Sequence, residues 1–262
     1  MAEQQREQRH TIFITGAASG IGRATARAFV LRGWLVGCYD VNQGALDALQ
    51  DEIGLTTAFF GPLDVTDRRA VLASFEDFGQ RTGGRLDLLF NNAGIDAKGP
   101  FAAMSWEQIM AVVNVNMIGG MSVIHAGIPL LKATEGSLCL STASASAIFG
   151  TANLAVYSAT KDAVKGLTEA LSVEFAAFGV RAMDILPGIV DTGMLAPEAK
   201  ALLPHEGLLR ALPAEAVADL VWEAYEGDKL HWYIPEELAA YDVRVTSRPE
   251  EARDDRIAGH LI

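Results

Sequence analysis

Six short segments of the chain are apolar almost without alternation: TIFIT (11–15), WLVGCYD (34–40), TAFFGPLDV (57–65), LDLLFNNAG (86–94), GSLCLSTAS (136–144) and VRAMDILPG (180–188). Between them lie stretches with apolar residues at three- and four-residue spacing, the period of an amphipathic helix. These are IGRATARAFVLRG (21–33), QGALDALQDEI (43–53), RRAVLASFEDFGQRTG (68–83) and two long ones, 105–131 and 155–178. Strands that show no polar face are buried on both sides, which happens when parallel strands carry crossover helices above and below. The pattern predicts one α/β domain, an open doubly wound parallel sheet with helices on both faces. Three segments fall outside the rhythm. Residues 1–10 are a polar extension, residues 191–212 mix prolines with short helical pieces and form a candidate lid, and residues 244–262 are a charged tail with little apolar periodicity.

The chain has 262 residues, half of them hydrophobic, and a formal net charge of -12, with a pI near 4.8. An acidic surface repels phosphate backbones, so nucleic acid is not an expected partner. No apolar run approaches the length of a membrane span and no basic amphipathic stretch suggests membrane docking. The two cysteines, Cys38 and Cys139, lie in predicted strands, where free buried thiols are expected. Together with an N-terminus lacking the apolar core of a signal peptide, this points to a reducing cytoplasm. The five histidines are scattered, and no metal site is expected.

The turn TGAASGIG (15–22) joins the first strand to the first helix. Gly16, Gly20 and Gly22 let the backbone turn sharply, and the residues around them, Ser19 and Ile21, open a helix whose free N–H groups suit a pyrophosphate. A tight β–α turn with no ligand would use the same glycines. Asp40 adds a second sign. It ends the second strand about twenty residues on, where a carboxylate accepts bonds from the adenosine ribose of a dinucleotide. It would repel a 2′-phosphate, and neither Arg nor Lys lies in CYDVNQG. NAD is therefore favoured over NADP, and the fold expectation sharpens to a Rossmann-type sheet.

Taken together, these motifs make the chain resemble the short-chain dehydrogenase/reductase family, in its short single-domain branch. TGAASGIG is similar to the family's TGxxxGxG, LDV (63–65) to its adenine-contacting turn, NNAG (91–94) to its fourth-strand loop, and NVN to the element carrying its helix asparagine, Asn116. Ser144 stands thirteen residues before Tyr157, YSATK (157–161) matches YxxxK, and PGIVDT (187–192) matches PGxVxT. The resemblance covers roughly residues 11 to 195. It implies oxidation of an alcohol or reduction of a ketone with a nicotinamide cofactor. It also implies cofactor contacts at Gly16, Ser19, Gly20, Ile21, Gly22, Asp40, Asp64, Val65, Asn92, Ala93, Gly94, Tyr157, Lys161, Pro187, Gly188, Val190 and Thr192. The chain departs from the family at its C-terminal end, where HWYIPEELAAYDVRV lacks the usual glycine pair. Homodimers or homotetramers are implied, the dimer through the two long helices.

The chemistry explains the spacing. Removing a hydride from an alcohol carbon also requires a base for the hydroxyl proton, and tyrosine, with a pKa of about 10, is a poor one. Lys161, one helical turn beyond Tyr157, would lower that pKa; a drop of about three units is worth roughly 4 kcal/mol. The resemblance gives Lys161 the nicotinamide ribose, Ser144 the substrate oxygen and Asn116 a place in a proton relay. Ser141 and Ser146 are fallback serines. A small-molecule alcohol or ketone would fill a mostly apolar pocket of Ile95, Asp96, Ser144, Ser146, Phe149, Leu154, Tyr157, Met194 and Leu195. An NADPH-dependent ketone reductase and a dinucleotide sensor without turnover remain alternatives.

Overall fold

The computed structural model describes residues 9–195 and 197–258. Residues 1–8 of the polar extension, position 196 of the candidate lid and residues 259–262 of the tail lie outside the described residues. Strands β1 (Thr11–Thr15), β2 (Leu35–Asp40), β3 (Ala58–Pro62), β4 (Leu88–Asn91), β5 (Leu138–Thr142), β6 (Arg181–Pro187) and β9 (His231–Ile234) make one seven-stranded sheet in the order β3-β2-β1-β4-β5-β6-β9. Every pairing is parallel. The doubly wound α/β expectation therefore holds, with HWYI supplying a seventh strand. The chain runs outward from β1 to β3 and returns through β4 on the other side, so the crevice above the carboxyl ends of β1 and β4 is the topological switch point.

The lack of alternation in the strands follows from packing on both faces. In β1, Ile12 and Ile14 point to one layer with Phe29, Leu46 and Val217. Phe13 points to the other, stacked at 4.1 Å on both Tyr39 and Phe75. The first layer is built by helices α1 (Gly20–Leu31), α2 (Gln43–Ile53) and α8 (Ala214–Glu226), the second by α3 (Arg68–Thr82), α4 (Trp106–Val113), α5 (Gly120–Lys132) and α6 (Ala155–Ala176). Cys38 and Cys139 are free and buried, and burial raises both thiol pKa values well above the ordinary range.

One expectation needs correction and two segments gain detail. First, the long helix expected over 105–131 is present as α4 and α5, continuous over Trp106–Lys132 and joined by a π-helical segment at Asn114–Gly119, but the expectation that no apolar run approaches the length of a membrane span does not hold for it. At 27 residues it is long and apolar enough, by length and composition, to cross a membrane. The polar residues Asn114 and Asn116 break the apolar run in the sequence without breaking the helix. Here it is a layer helix, with Val123, Ile124 and Leu131 in the second core. Second, the tail is folded from 244 to 257. Helices α9 (Leu238–Ser247) and α10 (Pro249–Ile257) bury Leu238, Tyr241, Val245 and Ala252 in a third cluster with Ile148 and Leu186. That face is too narrow, and α10 too charged, to give a strong periodic signal. Third, the segment 191–212 has structure of its own: β7 (Val190–Asp191) pairs in parallel with β8 (Leu212–Pro213), and the short helix α7 (Pro197–Lys200) lies between them.

The turn from β1 into α1 is packed to its limit. A Cβ on Gly22 would lie 2.0 Å from the Gly16 carbonyl oxygen, and no side-chain rotation relieves a clash with backbone. Gly22→Ala is expected to destabilise the fold by about 1–3 kcal/mol; thermal unfolding checks it, and an unchanged midpoint would show that the turn relaxes freely.

Candidate active site

A cleft of about 760 Å³ opens at the switch point. Its floor is the glycine turn. α1 starts at Ser19, whose side chain makes no cap bond. The neighbouring helices differ: Asn42 caps α2 by accepting from Ala45 N, and Asp67 caps α3 by accepting from Arg69 N and Ala70 N. The first N–H groups of α1 are thus left for a ligand, at the positive end of the helix dipole. Gly16 and Gly20 both have positive φ, 66° and 48°, which side-chain-bearing residues adopt at a cost.

Asp40 stands at the end of β2 with its carboxylate fixed. Oδ2 accepts from Ala18 N at 3.0 Å and Oδ1 from Asn42 N at 2.9 Å. Two backbone donors leave it lone pairs for ribose hydroxyls. The cations of α1 are occupied elsewhere: Arg23 and Arg27 both pair with Glu52, at 2.6 and 2.9 Å. Among the described residues lining the cleft, Lys161 is the one cation, against Asp40, Asp64 and Asp96.

The third wall is the loop after β4. The Thr15 hydroxyl accepts from Asn92 N and Ala93 N, both at 3.0 Å, Asn92 Nδ2 donates to the Thr15 carbonyl, and the Thr142 hydroxyl donates to Asn92 Oδ1 at 3.1 Å. Further along, the Asn116 side chain clamps residue 95. Its Oδ1 accepts from Ile95 N at 2.8 Å, while Nδ2 donates to the Ile95 carbonyl at 2.9 Å and to the Thr160 hydroxyl at 3.1 Å. Asn116 belongs to the π-helical segment, a distortion often found where a helix turns a side chain toward a site.

Tyr157 and Lys161 face the same cleft from the first turns of α6. Lys161 is 4% exposed. Its ammonium donates to the Thr142 carbonyl at 2.7 Å and lies 5.6 Å from the centroid of the Tyr157 ring. Burial lowers its pKa from 10.5 to about 8. Burial also raises the Tyr157 pKa above its ordinary value; the hydrogen bond with Ser144 pulls it down, and the charge of Asp96 pushes it up again. The expected lowering of the tyrosine by Lys161 is thus not what the protein alone displays: burial dominates the tyrosine, and the lysine is itself lowered by burial.

Of the predicted residues, Gly16, Ser19, Gly20, Ile21, Asp40, Asp64, Val65, Asn92, Ala93, Gly94, Ile95, Asp96, Tyr157, Lys161, Thr192 and Met194 line the cleft. Ser144 lies near enough to the Tyr157 phenol to lower its pKa, whereas Ser141 is buried in the sheet, 3.5 Å from Asn91 Nδ2, and Ser146 donates its N–H to the Ser144 hydroxyl. Other predicted residues stand behind the walls. Gly22 packs on Gly16, Pro187 pairs with Ile234, Gly188 donates to the Ile234 carbonyl, and Val190 pairs with Leu212. Phe149 lies under the Arg256 guanidinium at 4.9 Å, Leu154 precedes α6, and Leu195 N donates to Thr192 O. Residues that sequence reading missed include Thr15, Thr142, Val41, Asn42 and Lys98. Thr15 and Thr142 each end a strand beside the switch point, which was a usable signal.

Fold and cleft together define a dinucleotide-binding oxidoreductase. Residues 10–202 match the short chain dehydrogenase family, and the chain belongs to it. It is 35% identical over 184 residues to the 3-oxoacyl-(acyl-carrier-protein) reductase of Thermotoga maritima, covering 69% of this chain and 74% of that one. It is 32% identical over 239 residues to dehydrogenase/reductase SDR family member 6 of Rattus norvegicus, covering 91% and 93%. Among solved structures, a short chain dehydrogenase/reductase from Burkholderia phymatum in complex with NAD superposes with a TM-score of 0.82 at 25% identity, covering 95% and 96% of the two chains. The 3-ketoacyl-(acyl-carrier-protein) reductase from Brucella melitensis complexed with NADH gives 0.78 at 26% identity, covering 86% and 96%.

The lysine carries a stability cost whose sign can be worked out. At pH 7 it is protonated in folded and unfolded chains alike, but only the folded chain bears the desolvation. The interval from about 8 to 10.5 corresponds to about 3 kcal/mol. As pH rises through that window the folded chain releases the proton first, the unfolded chain binds more protons, and stability climbs. Lys161→Met is expected to raise the melting temperature at pH 7, with the advantage shrinking toward pH 10.5. A variant less stable than the parent at pH 7 would contradict this.

Proposed function

We propose that the protein is an NAD-dependent oxidoreductase acting on secondary alcohols and ketones, with Tyr157 as the acid/base. The observation that carries this is the meeting, in one cleft, of Tyr157 and Lys161 with the fixed Asp40 carboxylate and the uncapped start of α1. The residues fit the cofactor: Ser19, Gly20 and Ile21 for the pyrophosphate, Asp40 for the adenosine ribose, Lys161 for the nicotinamide ribose, Thr192 for the carboxamide. Bound there, NAD supplies the two-electron exchange at the substrate carbon.

The chain supplies the proton. A phenol kept protonated by burial is a good donor to a ketone oxygen, and Ser144, which lies near enough to lower the pKa of that phenol, holds the same oxygen and offsets its developing charge. Once the proton has left, the Lys161 ammonium stabilises the phenolate in a site where water screens little. Its own proton is loosely held, at about 8, so it can hand a proton back to Tyr157. Asn116 sits beside it: a Cβ on Gly94 would lie 3.3 Å from Asn116 Oδ1 and 3.5 Å from Lys161 Nζ. In the oxidation direction each step reverses.

Preference for NAD over NADP rests on Asp40, whose carboxylate would meet a 2′-phosphate with no free cation lining the cleft beside it among the described residues. Tyr157→Phe is expected to lose turnover by at least about a hundredfold while NADH binding, followed by fluorescence, stays within about twofold. Tighter binding of NADPH than of NADH by the parent would refute the cofactor assignment.

We assign the outer face of α4–α6 to a homodimer. Trp106, Ile118, Val173 and Phe178, spread along these helices and just past the end of α6, are 68, 52, 75 and 48% exposed, apolar side chains that a second copy of the chain would cover. Sedimentation should give more than one chain per particle, and Val173→Asp should shift it toward the monomer; a monomeric parent would remove the assignment.

A further inference from the structure

Asp96 stands in the cleft wall with Ile95, Tyr157 and Met194. Its side chain keeps 24% of its surface exposed. Among the described residues its partner is Lys98, with Nζ 3.4 Å from Oδ2. That ammonium makes its short bond elsewhere, 2.7 Å to the Met194 carbonyl. Lys98 thus bridges the loop after β4 and the loop after β7, and its charge is shared between two acceptors. Asp96 Oδ1 receives no hydrogen bond from the described residues.

Resting on the reading above, we propose that Asp96 is a specificity-determining residue that selects neutral secondary alcohols and ketones bearing a second hydroxyl next to the reacting carbon. An ionised carboxylate only accepts hydrogen bonds, so its complement is a donor, and a hydroxyl given to a carboxylate makes a strong, charge-assisted bond. A substrate carboxylate would meet Asp96 at close range, with Asp40 and Asp64 in the same cleft and a net charge of -12 on the whole chain. An ammonium would meet Lys98. A neutral donor avoids both repulsions, and Ile95 and Met194 supply apolar surface for the carbon skeleton.

The test uses the full chain with NADH and three probes: 2-butanone, 3-hydroxy-2-butanone and 4-oxopentanoate. The parent should favour 3-hydroxy-2-butanone over 2-butanone in kcat/KM by about tenfold or more, with 4-oxopentanoate poorest. Asp96→Ala should bring the kcat/KM ratio of 3-hydroxy-2-butanone to 2-butanone to within about twofold of unity, the ratio cancelling any effect of the lost charge on Tyr157 that both substrates share. Asp96→Asn keeps an acceptor without the charge, so it should retain part of the preference and improve 4-oxopentanoate. A ratio unmoved in Asp96→Ala, a parent that prefers 4-oxopentanoate, or a parent inert toward all three would overturn the proposal. The reading beneath it is judged separately, by whether Tyr157→Phe abolishes turnover of any other alcohol or ketone.

Discussion

One ammonium group held away from water organises this molecule. Lys161 lies under the ends of β5 and the loop after β4, with the Thr142 carbonyl as its partner, and burial is the cause of its lowered pKa. A charge in that position is costly and effective for the same reason: the low dielectric that penalises it also lets it act strongly on a phenolate nearby. The neighbouring groups are consistent with that constraint. Gly94 leaves room for the amine, Thr142 turns its carbonyl inward, and Tyr157 sits one turn away on the same helix. Burial, as the largest cause, sets Tyr157 as a proton donor and Lys161 as a loosely protonated base.

The π-helical segment at Asn114–Gly119 is the second fixed point. A regular helix satisfies its own backbone and leaves an asparagine to interact with solvent or fill a gap. Here the wider turn carries Asn116 inward, 3% exposed, so that one amide bonds both backbone groups of Ile95 and the hydroxyl of Thr160. The loop after β4 and the helix α6 are therefore tied through a single side chain. The tie explains why a run rich in poor helix formers sits inside a 27-residue helix.

The sheet was legible in the sequence because burial on both faces leaves an unmistakable pattern: β1 reads TIFIT with every residue buried. The glycine turn, Asp40, Tyr157 and Lys161 were legible because each occupies a chain position that the switch point dictates. Groups acting through backbone atoms were not. Thr142 holds the lysine by its carbonyl, and Gly188 and Val190, read as cofactor residues, spend their backbone groups on β9 and β8. The C-terminal helices were missed for another reason. Their apolar face is four residues wide, Leu238, Tyr241, Val245 and Ala252, and much of their attachment is polar.

That polar attachment bears on the site. Lys165 lies one turn beyond Lys161 on α6 and pairs with Asp242 of α9 at 3.2 Å. Asp242 also accepts from the Tyr233 hydroxyl of β9 at 2.7 Å and from the Thr246 hydroxyl at 3.2 Å. A mostly buried carboxylate with three donors is a rigid joint, since loss of any one leaves a charge or a hydroxyl unsatisfied. At its first turns α6 is held by Asn116 through Thr160, and one turn later by this joint. The tyrosine and lysine are thus carried on a helix fixed from two directions, by the loop that faces the substrate and by the chain's own C-terminal end. Sub-ångström placement of a proton donor requires that kind of support. It makes the folded tail part of the apparatus that positions α6, though none of its described residues lines the cleft.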